Sequence, residues 1–525
     1  MFPSVREAPI AADTVAPPGR DAIVIALSGL MMALFVTVVS GSIVATALPT
    51  IMADLDGTQA EYTWVITASL LSMTTSTPIW GKLADLHSKK RMLQLALLIF
   101  LAGSVLCGAA QGAGWLIGCR ALQGIGMGGL LSQAQVVVAA VVAPRDRGRW
   151  SGIVGSVVTA GTLSGPLIGG IVVDVLGWRW CFYVMVPIAL VALVVLQRTL
   201  HVPVRTGRRR RIDYPGALLL VGGVSALLVW TSMVGHRFAW VSWSTLAWLG
   251  GGLLAVVAAL VVEARAPEPV VPLRLLRDRA VALTVFAALL SGTPTYAASI
   301  YLGQYFQLAR GVSAAGAGLM TMPMVIAVMV SSTVVGALVT RTGRIKPFLV
   351  AGMVSVAVGM AAAGLLMRVG LPYPWLAGVL VVVGFGLGAT TQNLVLLVQN
   401  SVDPGDVGAA SATTTFLRSL GGVSGVTALG AVLGAQVAAA VPSGLVAAGL
   451  PAGSVASGEI PHLAALPPTV REVVQQAYAS SFGLLYLTVA PVALLGLAAV
   501  LLLRERPMQK PVAGDGDDPV VPDLS

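Results

Sequence analysis

Arg120 and Arg418 stand inside long apolar runs of this 525-residue chain. A guanidinium at bilayer depth costs about 2.5–3.5 kcal/mol on insertion scales unless it is paired or hydrated. Two readings of Arg120 follow. It faces an internal cavity, where it meets a proton-carrying acid or the anionic part of a bound molecule, or its side chain snorkels to the interface. Arg418, well inside its run, poses the same question. A second pattern is Gly161, Gly165 and Gly169, at i, i+4 and i+8. On a helix they form a stripe without side chains, along which another backbone approaches closely. Pro166 beside it removes a backbone donor and kinks the helix. The stripe is therefore a hinge or seal, or ordinary glycine packing. Gln133, Gln135, Gln304, Gln392, Asn393, Gln399 and Asn400 lie within apolar runs as candidate hydrogen-bond partners of a bound molecule. Tyr296, Tyr301, Phe306 and Phe416 are candidates for apolar contact with it. Each of these is also a common helix-packing residue.

Other chemistries find little footing. His87, His201, His236 and His462 are scattered, and Cys107, Cys119 and Cys181 sit in apolar runs without Cys-x-x-Cys spacing. Neither a metal site nor a disulfide is expected. Gly124 to Gly129 satisfies G-x-G-x-x-G, but it lies inside an apolar helix with no strand before it, so it is not a dinucleotide loop. No P-loop accompanies it.

The elements that hold these residues follow from composition. Hydrophobic residues make up 56% and charged residues 10% of the chain, and the mean hydropathy is +0.88. Soluble domains carry about 25% charged residues, so a soluble multidomain enzyme is excluded, as are disordered and disulfide-rich secreted chains. A membrane-crossing helix needs about 20 apolar residues. Fourteen such runs begin near Ile23, Tyr62, Met92, Trp115, Ser151, Trp180, Tyr214, Ser244, Val281, Gly316, Pro347, Trp375, Ala412 and Ser481. They are continuously apolar rather than alternating, which predicts helices and not a barrel. The first, Ile23 to Pro49, is much longer than the roughly 7–15 residues of a signal-peptide core, and is expected as a retained helix. With the N-terminus inside, most of the 32 Lys and Arg fall on that side. They include Lys82, Lys89, Lys90 and Arg91, then Arg208 to Arg211, and then Arg341, Arg344 and Lys346. Arg179, Arg237, Arg310, Arg368 and Arg471 fall on the other. This bias predicts both termini in the cytoplasm, and it makes Arg208 to Arg211 a loop against anionic lipid rather than a nucleic-acid patch.

The loop from Gly81 to Arg91 and the loop from Gly336 to Lys346 each place Gly, then Leu two residues on, then a basic cluster. This weak repeat predicts two six-helix halves with two helices inserted between them, and a substrate site at their interface. Gly81 to Arg91, Arg120 to Gly124 (RALQG), Gly161 to Gly170 (GTLSGPLIGG), Ile43 to Ile51 (IVATALPTI), and Trp178 to Trp180 with Pro187 occur in that topological arrangement. From about Ile23 to Arg504 the chain resembles the major facilitator superfamily, and within it the fourteen-helix drug:proton antiporters of multidrug and antibiotic efflux. The resemblance implies an all-α membrane protein of the major facilitator fold. Its expected parts are a cytoplasmic segment 1–21, a six-helix bundle 22–200 and an insert 201–279. A second bundle 280–503, with an outer loop 440–480, and a cytoplasmic tail 504–525 complete it. Within the loop, Thr469 to Tyr478 is expected as a short amphipathic helix.

The resemblance makes Gly161, Gly165, Pro166, Gly169 and Gly170 an exporter motif. It places Asp85 at the acidic position of the loop with Gly81, Lys89, Lys90 and Arg91, where it acts as an inner latch or stays a solvated acid. One position departs from the pattern: Ser40 stands three residues before Ile43, where the family usually carries Asp. A carboxylate in low dielectric binds and releases protons near neutral pH; Ser40 does not. None of the 22 acids lies near the centre of a run, so Glu61 and then Asp174 become the candidates for coupling, with Arg120 as partner. Neutral or weakly acidic substrates are favoured over permanent cations.

The expected function is secondary active export of small amphipathic compounds by alternating access, across the cell membrane of a bacterium. No cofactor is expected; a proton gradient supplies the energy. The partners are a small amphipathic molecule, protons and membrane lipid, with no nucleic acid, and the chain is expected as a monomer. The rival readings are a carrier of a metabolite or lipid without proton coupling, and a membrane sensor or enzyme on a transporter-like scaffold.

Overall fold

The computed structural model describes residues 20–141, 147–200, 214–233, 241–265, 273–402, 406–451, 460–461 and 463–503. Among them fourteen helices follow one another. They are α1 Arg20–Asp54, α2 Gln59–Leu86, α3 Lys89–Gly108, α4 Ala113–Val141, α5 Arg147–Leu176, α6 Trp180–Thr199 and α7 Tyr214–Met233. Then come α8 Trp243–Arg265, α9 Arg279–Leu308, α10 Ala314–Thr342, α11 Lys346–Leu366, α12 Tyr373–Gln399, α13 Val407–Ala447 and α14 Pro468–Leu501. Among the described residues, ten helices are long and apolar enough to cross a membrane. Exposed side chains such as Leu218, Leu254 and Leu495 give the molecule the apolar exterior that lipid, not water, covers. The segments 1–19 and 504–525, the Arg208 to Arg211 run, and His201, His236 and His462 lie outside the described residues.

Local sequence explains where helices start. Thr58 and Glu61 cap α2 reciprocally, each side chain bonding the other's backbone N–H, which satisfies orphan donors at the helix start. Asp278 caps α9 and Ser313 caps α10. Gly343 ends α10 at φ 68°, a left-handed conformation that glycine adopts without a Cβ penalty.

The helices pair by one scheme used twice. In α1–α6 the partners are α1 with α5 and α6, α2 with α4, and α3 with α4 and α6. In α9–α14 they are α9 with α13 and α14, α10 with α12, and α11 with α12 and α14. The two sets meet along α5–α10, α2–α13 and α1–α9, so α1 meets its own counterpart while α2 and α5 each meet the counterpart of the other. Helices α7 and α8 pack on each other, and α7 packs on the α2–α13 seam, where Val224, Leu228 and Val423 cluster with Leu70, Leu71, Leu220, Val256 and Leu420.

Two boundaries differ from expectation. Helix α13 runs to Ala447 and α14 begins at Pro468, so the expected loop 440–480 shortens at both ends. The expected short helix Thr469 to Tyr478 is the first part of α14. Its polar Arg471, Glu472, Gln475 and Gln476 alternate with Val470, Val474, Ala477 and Tyr478, which are buried on one face, the stripe that joins it to the apolar helix that follows.

Candidate functional site

Between the two sets lies a cavity of about 520 Å³, within the usual range of small-molecule sites. Helices α1, α2, α4 and α5 line one side and α9, α10, α12 and α13 the other. Most of the wall is apolar, including Met73, Met127, Leu131, Met324 and Val325, with hydroxyls from Thr37, Thr295, Ser299, Thr321 and Ser332. Among its described lining residues two are cations, Arg120 and Arg418, and none is Asp or Glu.

Arg120 is 4% exposed. Its Nη1 donates to Gln123 Oε1, one turn further along α4. Gln123 Nε2 donates in turn to Ser104 Oγ at 2.7 Å and to Ser40 Oγ at 3.4 Å. Gln123 is thus held by hydroxyls of α1 and α3, and its oxygen points at the guanidinium. Arg120 Nε is buried with no hydrogen-bond partner. Arg418 Nη1 makes a long bond, 3.4 Å, to the Thr391 carbonyl. The snorkelling alternative for Arg120 is excluded by its burial on the cavity wall.

The expected polar candidates divide. Tyr296 and Gln392 line the cavity, Tyr296 with its ring packed on Gly422. Gln133 instead donates to the Trp80 carbonyl at 2.9 Å, tying α4 to α2. Asn393 bonds the Ala389 carbonyl of its own helix at 2.7 Å. Gln304 bonds Gln59 across the sets, and Phe416 is half-buried outside the lining. Ser40 is buried behind the wall, where it serves Gln123. The side chain of Gln135 lies outside the described residues.

The Gly161–Gly170 stripe sits at the α1–α5–α10 junction. Gly161 packs on Val38, Gly165 on Ser42 and Gly169 on the Ile43 backbone, so the stripe seats α5 on α1. Gly170 faces the Ala315 backbone across the sets, and a Cβ on Gly318 would stand 2.5 Å from the Pro166 carbonyl. Helix α5 therefore touches α10 backbone to backbone.

Among the described residues, the hydrogen bonds between the sets gather toward one end of the molecule, that of the α1–α2 turn. Gln304 Nε2 donates to Gln59 Oε1 at 2.7 Å, Gln307 Nε2 to the Thr46 carbonyl at 2.8 Å and Thr50 to Gln307 Oε1 at 3.4 Å. Thr67 and Thr427 share a hydroxyl bond at 3.1 Å, and the Ile460 N–H reaches the Gly57 carbonyl at 3.0 Å. These partners are uncharged amides, hydroxyls and backbone groups. One carboxylate joins them: exposed Asp174 accepts from the Ala315 N–H at 3.3 Å, where an anion complements the start of α10. Glu61 is taken up in the α2 cap.

At the opposite end, Lys90 Nζ donates to the Gln197 carbonyl at 2.6 Å, at the C-terminal end of α6, where a cation is favoured. This contact stays within the first set. Lys89 is half-buried, Arg91 is exposed, and Gly81 faces Ser132 of α4. The side chain of Asp85 lies outside the described residues. Sequence reasoning missed Gln59, Gln307, Thr67 and Thr427, because their role depends on which helix faces them. Gln123 was visible in RALQG, one turn from Arg120, without its orienting task being legible.

The family model of the Major Facilitator Superfamily matches residues 30–426. The chain belongs to the major facilitator superfamily. It is 35% identical to an uncharacterized MFS-type transporter of Mycobacterium tuberculosis over 94% of this chain and 71% of that protein. It is 34% identical to the multidrug transporter protein MdtP of Bacillus subtilis over 76% of this chain and 73% of that protein. The fold is similar to that of a bacterial homolog of the human lysosomal transporter Spinster in an inward-facing, unoccupied conformation. That match has a TM-score of 0.62 and 15% identity, and covers 92% of this chain and 98% of the other. This major facilitator chain is a multi-pass membrane protein of a transporter family, and its relatives include efflux pumps.

Proposed function

We propose that the chain is a fourteen-crossing secondary exporter of small amphipathic compounds, working in the cell membrane by alternating access with both termini in the cytoplasm. The bodies that move are residues 22–200 and 280–503, with 201–279 inserted between them. The observation that carries this reading is the cavity of about 520 Å³ between two sets of helices whose mutual hydrogen bonds, among the described residues, gather toward one end. In the orientation favoured by the basic residues, that end faces outward and the conformation is inward-facing, as in the Spinster homolog.

The closing bonds suit a reversible gate. Each neutral hydrogen bond contributes a net ~0.5–1.5 kcal/mol, so the set amounts to a few kcal/mol. Differential binding of one ligand to the two orientations is enough to open it.

The primary reading takes the proton gradient as the energy source, with Asp174 biasing the closed end through its bond to α10. A second reading, a carrier without proton coupling, is favoured by one observation: among the described residues the cavity wall holds no carboxylate. Everted membrane vesicles supplied from the outside medium with a panel of fluorescent amphipathic compounds separate the two. Under the first reading, chain-dependent uptake collapses when nigericin removes the pH gradient. Uptake that survives nigericin selects the second. Absence of chain-dependent uptake for every compound, with the protein present in the membrane, contradicts export.

A further inference from the structure

We propose that the cavity is an anion site: it takes an amphipathic organic monoanion, whose carboxylate or sulfonate lies between Arg120 and Arg418 and whose apolar body rests on the methionine-rich wall. The proposal rests on the transport reading above and names its substrate class.

Three observations converge on it. First, the two cations that face the cavity meet no acid among its lining residues. Arg120 is satisfied only in part, by a neutral amide oxygen, and its Nε is buried without a partner. A buried guanidinium with open donors is the strongest recognition element available for a planar anion, because its fork matches two oxygens at once. Second, the orienting chain is built from neutral groups. Gln123 is held by Ser104 and Ser40, so the positive charge of Arg120 is positioned but not cancelled. A carboxylate at position 40 would stand beside this chain and neutralise it. Third, the two arginines come from opposite sides of the cavity, Arg120 from α4 and Arg418 from α13. An anion bridging them engages both sets of helices, which is the geometry by which a ligand biases the relative position of the sets. Met73, Met127 and Met324 on the walls supply a soft, adaptable surface for varied apolar bodies.

The probes are three dansyl-undecyl compounds that differ only in the head group: a carboxylate, its methyl ester and a trimethylammonium. Binding to purified full-length protein in nanodiscs is followed by dansyl fluorescence, and uptake by the same protein in proteoliposomes. Wild type is expected to bind the carboxylate at least tenfold more tightly than either other probe. Arg120→Gln and Arg418→Gln are each expected to remove that preference while retaining binding of the ester. Ser40→Asp, which deletes nothing, is expected to lose the carboxylate preference and bind the trimethylammonium more tightly than wild type does. Equal or tighter binding of the trimethylammonium by wild type overturns the proposal, as does a carboxylate preference that persists in both arginine variants. A carboxylate preference in binding without uptake of any probe supports the anion site and contradicts the transport reading, so the two fail separately.

Discussion

Gly170→Val is expected to lower transport at least tenfold while leaving the protein folded and inserted. Gly170 faces the Ala315 backbone, and Gly318 faces the Pro166 carbonyl from the other set. Neither position can accept a branched side chain while α5 and α10 touch. Overpacking costs about 1–3 kcal/mol, and here it falls on only the state in which the α1–α2 end is closed. About 1.4 kcal/mol is a factor of ten in an equilibrium, so the population shifts toward the state open at that end. Gly318→Val acts in the same way from the opposite helix. The shift has its own readout. Ser299, on the cavity wall, replaced by cysteine, becomes reactive to a membrane-impermeant maleimide added from the α1–α2 side. The native Cys107, Cys119 and Cys181 are buried. Gly378 has open space where a Cβ would stand, and Gly378→Val is the expected silent control. Wild-type transport in Gly170→Val would show that α5 and α10 need not close on each other.

The second large effect comes from joining the sets covalently. Thr67 and Thr427 hold their hydroxyls 3.1 Å apart across the α2–α13 seam. Cysteines at both positions are expected to form a disulfide on mild oxidation, because their side chains already meet and only a short adjustment brings the sulfurs to bonding geometry. The oxidised double variant should lose more than nine-tenths of its transport and regain it on reduction. The single variants should transport normally under both conditions. Full activity of the cross-linked form would mean that the closed end never opens during the cycle.

The contrast between these residues and the expected candidates shows how much was readable beforehand. Continuous apolar runs made the all-helical class legible, because lipid leaves the backbone no alternative to internal hydrogen bonding. The repeated Gly-x-Leu-basic loops pointed to the doubled pairing scheme. Depth in the membrane was legible too: Arg120 and Arg418 were singled out because charge within such a run is costly, and both face the cavity. Facing was not legible for the rest. A helix apolar all round carries no stripe that says which side meets a neighbour, so Gln133, Asn393 and Gln304 looked alike. One ties α4 to α2, one bonds its own helix, and one joins the sets. Thr67 and Thr427 were invisible for a related reason. A threonine in such a helix commonly bonds the carbonyl four residues back, as Thr427 does to Val423 at 2.9 Å, and that local bond hides the second one across the seam.

Alternating access requires the two sets of helices to exchange which end is closed. Spin labels at Ala60 and Ala435 report the α1–α2 end of the α2–α13 seam, where Gln59 lies beside Gly434. Labels at His87 and Ala412 report its opposite end, and all four positions are exposed. Pulsed electron paramagnetic resonance on protein in nanodiscs, with and without a transported compound and at two pH values, measures both distances. Opposite changes are expected: a population with a longer Ala60–Ala435 distance grows as the His87–Ala412 distance shortens. Distances that stay fixed under every condition, or that lengthen and shorten together, would contradict alternating access.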